Sequence, residues 1–454
     1  MTNSNFKICV IGGGISGLTT AFLLLKKDFN VTLFEKSSRA GGNIESLNID
    51  GYLVEYAPNS LLSSPRLVDL IGALGLRDEV LAANRRNKKR YVLQNGNLKS
   101  LPMSVAKMAT DNFLSWKGKL RLMKEPFIRS KSTEDESVAA FFERRLGPEI
   151  VEKAVDPFIS GIYAGNPEHL SIRSSFPRLY NSERDYGSLL VGSLLSTAEQ
   201  PDKDFPRTFS FRNGVQTLTD KLIESLGECI HKKTEVLKIG SAAAGRWLVE
   251  TEKDRAEFDV VVVSTPANGT AKLIGVSDAD LGHKRENIYY PPVAMVYFGV
   301  KDTSISRELD GFGFLVPNSE QRKILGTIWN SSVFSDRAPN GYHLMTTFVG
   351  GSRNAGIFES SDEEIFEVVY SELKQILRLD QPPSFRHIKR WPRAIPQYEQ
   401  GYAKVENAIE RFEAENNGII FCSNFYKGIS VGDCVKNSYK TAGKIERISP
   451  ARTI

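Results

Sequence analysis

Gly12-Gly13-Gly14-Ile15-Ser16-Gly17 satisfies the spacing G-x-G-x-x-G, and an acid, Glu35, follows 21 positions after Gly14. Each residue has a task in holding a dinucleotide. Gly12 allows a tight turn, Gly14 lets the backbone approach a pyrophosphate, and Gly17 lets a helix pack closely on a strand. The N-terminus of a helix opening at Ile15 and Ser16 favours the negative charge. Glu35 can accept hydrogen bonds from both hydroxyls of a ribose. A glycine turn alone serves many α/β folds, so the flanks decide. Phe6-Lys7-Ile8-Cys9-Val10-Ile11 reads as a buried strand entering the turn, and residues 18–26 read as an apolar helix. Asp28-Phe29-Asn30 breaks the pattern before a second strand, Val31-Thr32-Leu33-Phe34, which ends at Glu35. The first strand begins so soon after Met1 that a targeting segment has almost no room.

Other chemistries are poorly served. Cys9, Cys229, Cys422 and Cys434 show neither C-x-x-C spacing nor a disulfide rhythm, which points to a reducing compartment, the cytoplasm. His169, His231, His283, His343 and His387 are scattered singly, so no metal site is expected. No catalytic triad, carboxylate pair or activated cysteine stands out. With 59 basic and 54 acidic residues the net charge is +5, too mild over 454 residues for a nucleic-acid surface. No run approaches the ~18 apolar residues of a membrane-spanning helix.

The elements that must position the glycine turn are spread along the chain. Residues 102–155 carry a helical pattern, with Glu134-Asp135-Glu136 placed as acids in the first turn of a helix at Val138. Strands are predicted at residues 234–239 and 246–250, and Val260-Val261-Val262-Val263 reads as a fully buried parallel strand. Residues 294–300, 323–329 and 342–349 are spaced as in an antiparallel sheet. Gly418-Ile419-Ile420-Phe421-Cys422 gives a last buried strand, followed by a glycine-bearing turn and a helix to Ala442.

Arg39-Ala40-Gly41-Gly42 follows the second strand as R-x-G-G, a pattern that resembles the amine-oxidase-like flavoprotein superfamily and favours FAD over NAD. An ordinary turn would account for Gly41-Gly42 by themselves. No second G-x-G-x-x-G follows, so a separate NAD(P)H site is not supported.

Several longer stretches are similar to the protoporphyrinogen oxidase family. They include Ala57-Pro58-Asn59-Ser60, Pro157-Phe158-Ile159-Ser160-Gly161-Ile162-Tyr163-Ala164-Gly165, Phe211-Arg212-Asn213-Gly214-Val215-Gln216, Trp391-Pro392-Arg393-Ala394-Ile395-Pro396-Gln397-Tyr398 and Gly428-Ile429-Ser430-Val431-Gly432-Asp433-Cys434-Val435. They occur in the family's order over nearly the whole chain. The resemblance implies an α/β fold: a Rossmann-type FAD-binding domain with a discontinuous α+β substrate domain and a helical insertion. The expected division gives residues 1–82, 209–283 and 388–454 to FAD, and 83–97, 176–208 and 284–387 to substrate. Residues 98–175 form the helical insertion.

It further implies non-covalent FAD held by residues 12–17 (Gly13 included), Glu35, Lys36, Arg39, Gly42, Ala57, Pro58, Asn59, Ser60, Val236, Trp391, Ile429, Ser430 and Val431. The implied reaction is oxidation of protoporphyrinogen IX by oxygen, or of coproporphyrinogen III. An amine oxidase, a carotenoid desaturase or a non-catalytic carrier on the same fold remains open, as does a homodimer. Ala57, Tyr402 and Asp433 depart from the family's commoner glycine, histidine and arginine.

For the substrate, Arg85-Arg86-Asn87-Lys88-Lys89-Arg90 packs five cations into six positions. A solvated basic loop accounts for most of them. The resemblance directs Arg90 at a propionate, with Lys89 the neighbouring alternative, and a guanidinium fork suits a carboxylate. Gly161, Ile162, Tyr163 and Phe348 are expected to line an apolar slot for the tetrapyrrole, with Phe298, Phe314 and Trp329 as further wall or core aromatics. Residues 113–124 mix Trp116 and leucines with lysines and Arg121. That fits either a peripheral membrane contact or a helix packed on its own domain.

Overall fold

The structure, a computed structural model, describes residues 5–84, 89–102, 104–132, 135–195, 202, 204–275 and 288–449. Arg85, Arg86, Asn87 and Lys88 of the basic run lie outside the described residues, as do Glu134 and His283.

The glycine turn leaves the middle of a five-stranded parallel sheet. Its strands run in the order Ile230–Lys232, Asn30–Glu35, Lys7–Ile11, Val260–Val263, Ile419–Phe421. The strands carry Val, Ile and Leu on both faces because both are covered, one by helices and the other by the antiparallel strands Val236–Ser241, Trp247–Thr251 and Arg255–Phe258 with the helix Tyr402–Glu415. On one side lie the helices Ile15–Leu25, Gln216–Leu226 and Val431–Ile448, which bury Leu18, Phe22, Leu218, Leu222, Val435 and Ile445 against Ile8, Val10 and Val262. Lys7–Ile11 has Asn30–Glu35 on one side and Val260–Val263 on the other. The chain thus changes direction at its carboxyl end, where open α/β sheets bind ligands.

A seven-stranded sheet carries the second half. Its order is Phe385–Trp391, Val293–Lys301, Tyr342–Gly350, Ile324–Ile328, Gly311–Leu315, Lys89–Gln94, Asn97–Ser100. Only the pair Lys89–Gln94 with Gly311–Leu315 is parallel. The helix Asp362–Leu377, started by a Ser361–Glu364 capping box, covers one face. Two expected domain boundaries fall inside strands of this sheet. The one at 387/388 cuts Phe385–Trp391, and the one at 97/98 cuts Asn97–Ser100.

The insertion is helical, with Trp116–Met123, Val138–Leu146 and a nearly continuous helix over residues 148–163 that includes two π-helical turns. Its centre is the buried Arg145, paired with Glu125 and Glu183. The acids before Val138 are not in its first turn. Ser137 caps that helix, Glu136 pairs with Arg144 at 2.7 Å, and Asp135 accepts a hydrogen bond from the Gly401 N–H. Among the described residues no helix is long and apolar enough to cross a membrane.

Candidate functional site

One cavity of about 3810 Å³ runs from the glycine turn to the strand Lys89–Gln94. Its dinucleotide end is set by close backbone contacts. Gly12 has φ +104°, and a Cβ there would lie 2.9 Å from the Ser264 carbonyl oxygen. A Cβ on Gly17 would come within 2.0 Å of the Gly12 oxygen, so the helix packs on the turn as tightly as the spacing implies. A Cβ on Gly14 would meet only the Gly42 Cα, at 4.0 Å; the space above it is open cavity. Glu35 accepts hydrogen bonds from the Gly13 N–H at 2.7 Å, the Ser37 N–H at 2.8 Å and the Ser37 hydroxyl at 2.6 Å. A carboxylate offers about four lone-pair sites, so acceptor capacity remains for a ligand.

Of the expected cofactor residues, Gly12, Gly14, Ile15, Ser16, Glu35, Lys36, Gly42, residues 57–60, Val236, Trp391 and residues 429–431 all line this cavity. Gly13 and Gly17 stand behind the turn. Arg39 does not line the cavity: its guanidinium donates to the Gly42 and Ile44 carbonyls (2.5 and 2.9 Å) and so shapes the R-x-G-G loop from behind. Trp391 donates from Nε1 to the Tyr56 carbonyl at 3.2 Å. Ser430 caps the helix Val431–Ile448 by accepting from the Asp433 N–H, and its hydroxyl donates to the Asp433 carboxylate at 2.6 Å. Tyr402 is core, stacked on Tyr398.

The crevice fits FAD. Besides the open cradle at Gly14, the hydroxyls of Ser63, Ser64 and Ser264 are buried in the cavity wall, with no hydrogen-bond partner among the described residues. Unmet buried hydroxyls are costly and suit a polar ligand. None of these serines carried a sequence signal, since isolated serines in turns are common.

At the other end the two neighbouring cations separate. Lys89 Nζ is tied to Asp310 Oδ2 at 2.5 Å, which raises its pKa, and Tyr91 donates to the other carboxylate oxygen at 2.6 Å. Arg90 lies over the Phe312 ring at 5.2 Å and has no ion pair among the described residues. Burial, with the nearby charge of Arg207, pulls its pKa below the ordinary value.

The π-helical turn Ile159–Tyr163 brings Gly161, Ile162 and Tyr163 to the cavity. π turns recur at functional sites. Ile162 is 51% exposed although apolar, because it faces this space. Gly161 serves a protein contact as well: a Cβ there would lie 2.4 Å from Leu315 Cδ2. Burial, then the Asp433 charge, pushes the Tyr163 hydroxyl up to about 12, so it stays protonated at neutral pH. Phe348 and Phe314 line the cavity, whereas Phe298 and Trp329 are core. Phe158, Phe312, Leu315 and Leu325 add apolar wall that periodicity could not separate from core.

The cavity joins a dinucleotide crevice to an apolar slot that ends on Arg90, an arrangement that fits a flavoenzyme. Comparison with known proteins agrees. The family model for flavin-containing amine oxidoreductases matches residues 15–445. The mitochondrial protoporphyrinogen oxidase of Nicotiana tabacum is 33% identical over 96% of this chain and 94% of its own. The chain belongs to the protoporphyrinogen oxidase family of flavin-containing amine oxidoreductases. It is also similar to the coproporphyrinogen III oxidase of Bacillus subtilis, 28% identical over 96% of this chain and 97% of that one. A crystal structure from Exiguobacterium sp. 255-15, provisionally named a protoporphyrinogen oxidase, superposes with a TM-score of 0.81 at 26% identity. It covers 98% of this chain and all of its own. The protein is therefore an oxidoreductase, and its cofactor is FAD.

Proposed function

We propose that the protein oxidises protoporphyrinogen IX to protoporphyrin IX in porphyrin biosynthesis, with oxygen as acceptor. The observation that carries this reading is Arg90, a cation without a carboxylate partner among the described residues, facing an apolar slot continuous with the FAD crevice. Bound FAD supplies two-electron oxidation, so the six electrons of a porphyrinogen take three rounds and three molecules of oxygen. The chain supplies the rest. Residues 161–163, Phe312 and Phe348 exclude water from the macrocycle, and Arg90 holds a propionate so that the ring enters in one orientation. No side chain is required as general base, because protons leaving pyrrole nitrogens can pass to solvent.

Among the residues expected to hold FAD, the cavity-lining set carries the direct contacts, while Gly13, Gly17 and Arg39 shape the turn and loop. We read the chain as the three parts named above, with the sheet boundaries moved to the strand ends at Ser100 and Trp391.

Coproporphyrinogen III is the second reading. It carries two more propionates, and the cavity offers further cations, Arg178 and Arg207 among them. Turnover of the holoenzyme on each porphyrinogen, followed by product fluorescence, decides between them. A higher kcat/KM on protoporphyrinogen IX supports the first reading, and a higher value on coproporphyrinogen III replaces it with the second.

A peripheral membrane contact belongs to the same proposal. The helix Trp116–Met123 packs inward through Gly118 and Leu122 and leaves Trp116 (68% exposed), Leu120 (43%), Met123 (56%) and nearby Phe127 (83%) outside. Lys117, Lys119 and Lys124 flank this stripe, as on helices that lie in an anionic interface. The helix packs on its own domain and still keeps an apolar face free. Flotation with phosphatidylglycerol vesicles, retained by the parent and lost in Trp116→Ser/Phe127→Ser, tests it. The buried free cysteines Cys9, Cys422 and Cys434 support a cytoplasmic location.

A further inference from the structure

We propose that Arg207 is a second carboxylate anchor beside Arg90, so that the pair receives two carboxylates carried by neighbouring pyrroles of one tetrapyrrole. The inference rests on the porphyrinogen reading and adds to it a residue that determines substrate preference.

The fold brings the two residues together from distant parts of the chain. Arg207 immediately precedes the strand Thr208–Phe211, which pairs antiparallel with both Leu61–Leu62 and Val80–Ala82. Its backbone is fixed on both sides: the Ser63 N–H donates to the Arg207 carbonyl at 2.9 Å, and the Ala83 N–H donates to Thr208 at 3.0 Å. Arg90 lies near the start of Lys89–Gln94, above Phe312. Both arginines line the one cavity.

They are also near enough to disturb each other. After burial, the charge of Arg207 is what pulls the Arg90 pKa down. Two acids at this end of the molecule are engaged with other groups. Asp310 takes Lys89 and Tyr91, and Asp202 takes Arg77 at 3.5 Å and the Asp204 N–H at 3.2 Å. Among the described residues neither guanidinium has an ion pair. Two like charges in a partly sheltered wall repel, and a pair of carboxylates relieves that repulsion while each guanidinium gains a charged hydrogen bond. Protoporphyrinogen IX matches this arrangement. Its two propionates leave adjacent pyrroles on one edge of the macrocycle and repel each other until they meet cations. A lone arginine would leave one of them without a partner.

The test uses the stable product as ligand, so that binding is read without turnover. Protoporphyrin IX and its dimethyl ester are titrated into the FAD-loaded protein and followed by porphyrin fluorescence. The parent is expected to prefer the diacid. Arg207→Gln should weaken diacid binding by about tenfold, and Arg207→Glu by more, with dimethyl ester binding and flavin content unchanged. Arg90→Ala should give the same pattern. The two Arg207 variants keep a long polar side chain at an exposed position, which guards against misfolding. If both bind the diacid like the parent while Arg90→Ala is impaired, the role of Arg207 is overturned and the porphyrinogen reading survives. If the parent binds neither porphyrin, that reading falls and this inference falls with it.

Discussion

Arg90→Ala is the substitution on which the substrate side of the account turns. The structure separates it from its neighbour, because Lys89 is occupied by Asp310 whereas Arg90 has no ion pair among the described residues. A charged hydrogen bond of this kind contributes roughly 1.5–3 kcal/mol, and each 1.4 kcal/mol is about tenfold, so kcat/KM should fall by about ten- to a hundredfold. The loss should fall mainly on KM. Arg90 belongs to the substrate end of the cavity, away from the glycine turn, so the flavin spectrum and FAD content should match the parent. Removing Arg90 also uncovers the Phe312 ring, a loss of packing that Arg90→Lys partly restores, since the ammonium keeps the charge but not the planar fork. Lys89→Ala is the internal control and should leave KM near the parent value. The assay is steady-state formation of fluorescent porphyrin from a porphyrinogen. Parent-like kinetics in Arg90→Ala with a raised KM in Lys89→Ala would refute the assignment.

Glu35→Ala should weaken FAD retention by about 1–3 kcal/mol, measured as flavin left after dialysis, because it removes both a ribose acceptor and the brace on the Gly13 N–H. Full retention would remove the ribose role. The bound FAD should come off in acid, since Cys434 is fully buried and its thiol is pushed up to about 12 by burial, poorly suited to a flavin linkage; colour left in the pellet would contradict this. Glu55, buried beneath Ser46 and the Val215 N–H, has its pKa raised by burial from 4.5 to about 7. The folded protein holds this proton more tightly than the unfolded chain. The resulting stabilisation, about 3 kcal/mol, is full below pH ~4.5 and is lost as pH rises through ~7. Glu55→Gln should flatten the fall in Tm over that window, and an unchanged slope would show that Glu55 is not its source.

The cofactor half was legible because its signals are local. The turn at residues 12–17, the valine run Val260–Val263 and the acid at Glu35 each depend on neighbours within one βαβ unit or one strand. The antiparallel strands were legible for the same reason, apart from residue-level shifts at their ends. What stayed hidden depends on distant partners. Nothing near Lys89 announces that Gly311–Leu315 will pair with it in parallel, or that Asp310 will then neutralise it. Phe298 and Phe348 have similar strand surroundings in sequence, yet one is core and the other faces the cavity, because the seven-stranded sheet covers only one of its faces with the helix Asp362–Leu377. The acids at Asp135 and Glu136 looked like a helix start, but their partners are Gly401 and Arg144. Arg207 offered no local signal at all.

We propose that a porphyrinogen reduces the flavin of this protein directly. Anaerobic mixing of the FAD-loaded protein with protoporphyrinogen IX, with coproporphyrinogen III and with a simple amine, followed at the visible flavin band, tests it in one experiment. Bleaching by a porphyrinogen is expected, fastest with protoporphyrinogen IX, accompanied by growth of porphyrin absorbance and by no response to the amine. Bleaching by the amine alone, with both porphyrinogens inert, would contradict it.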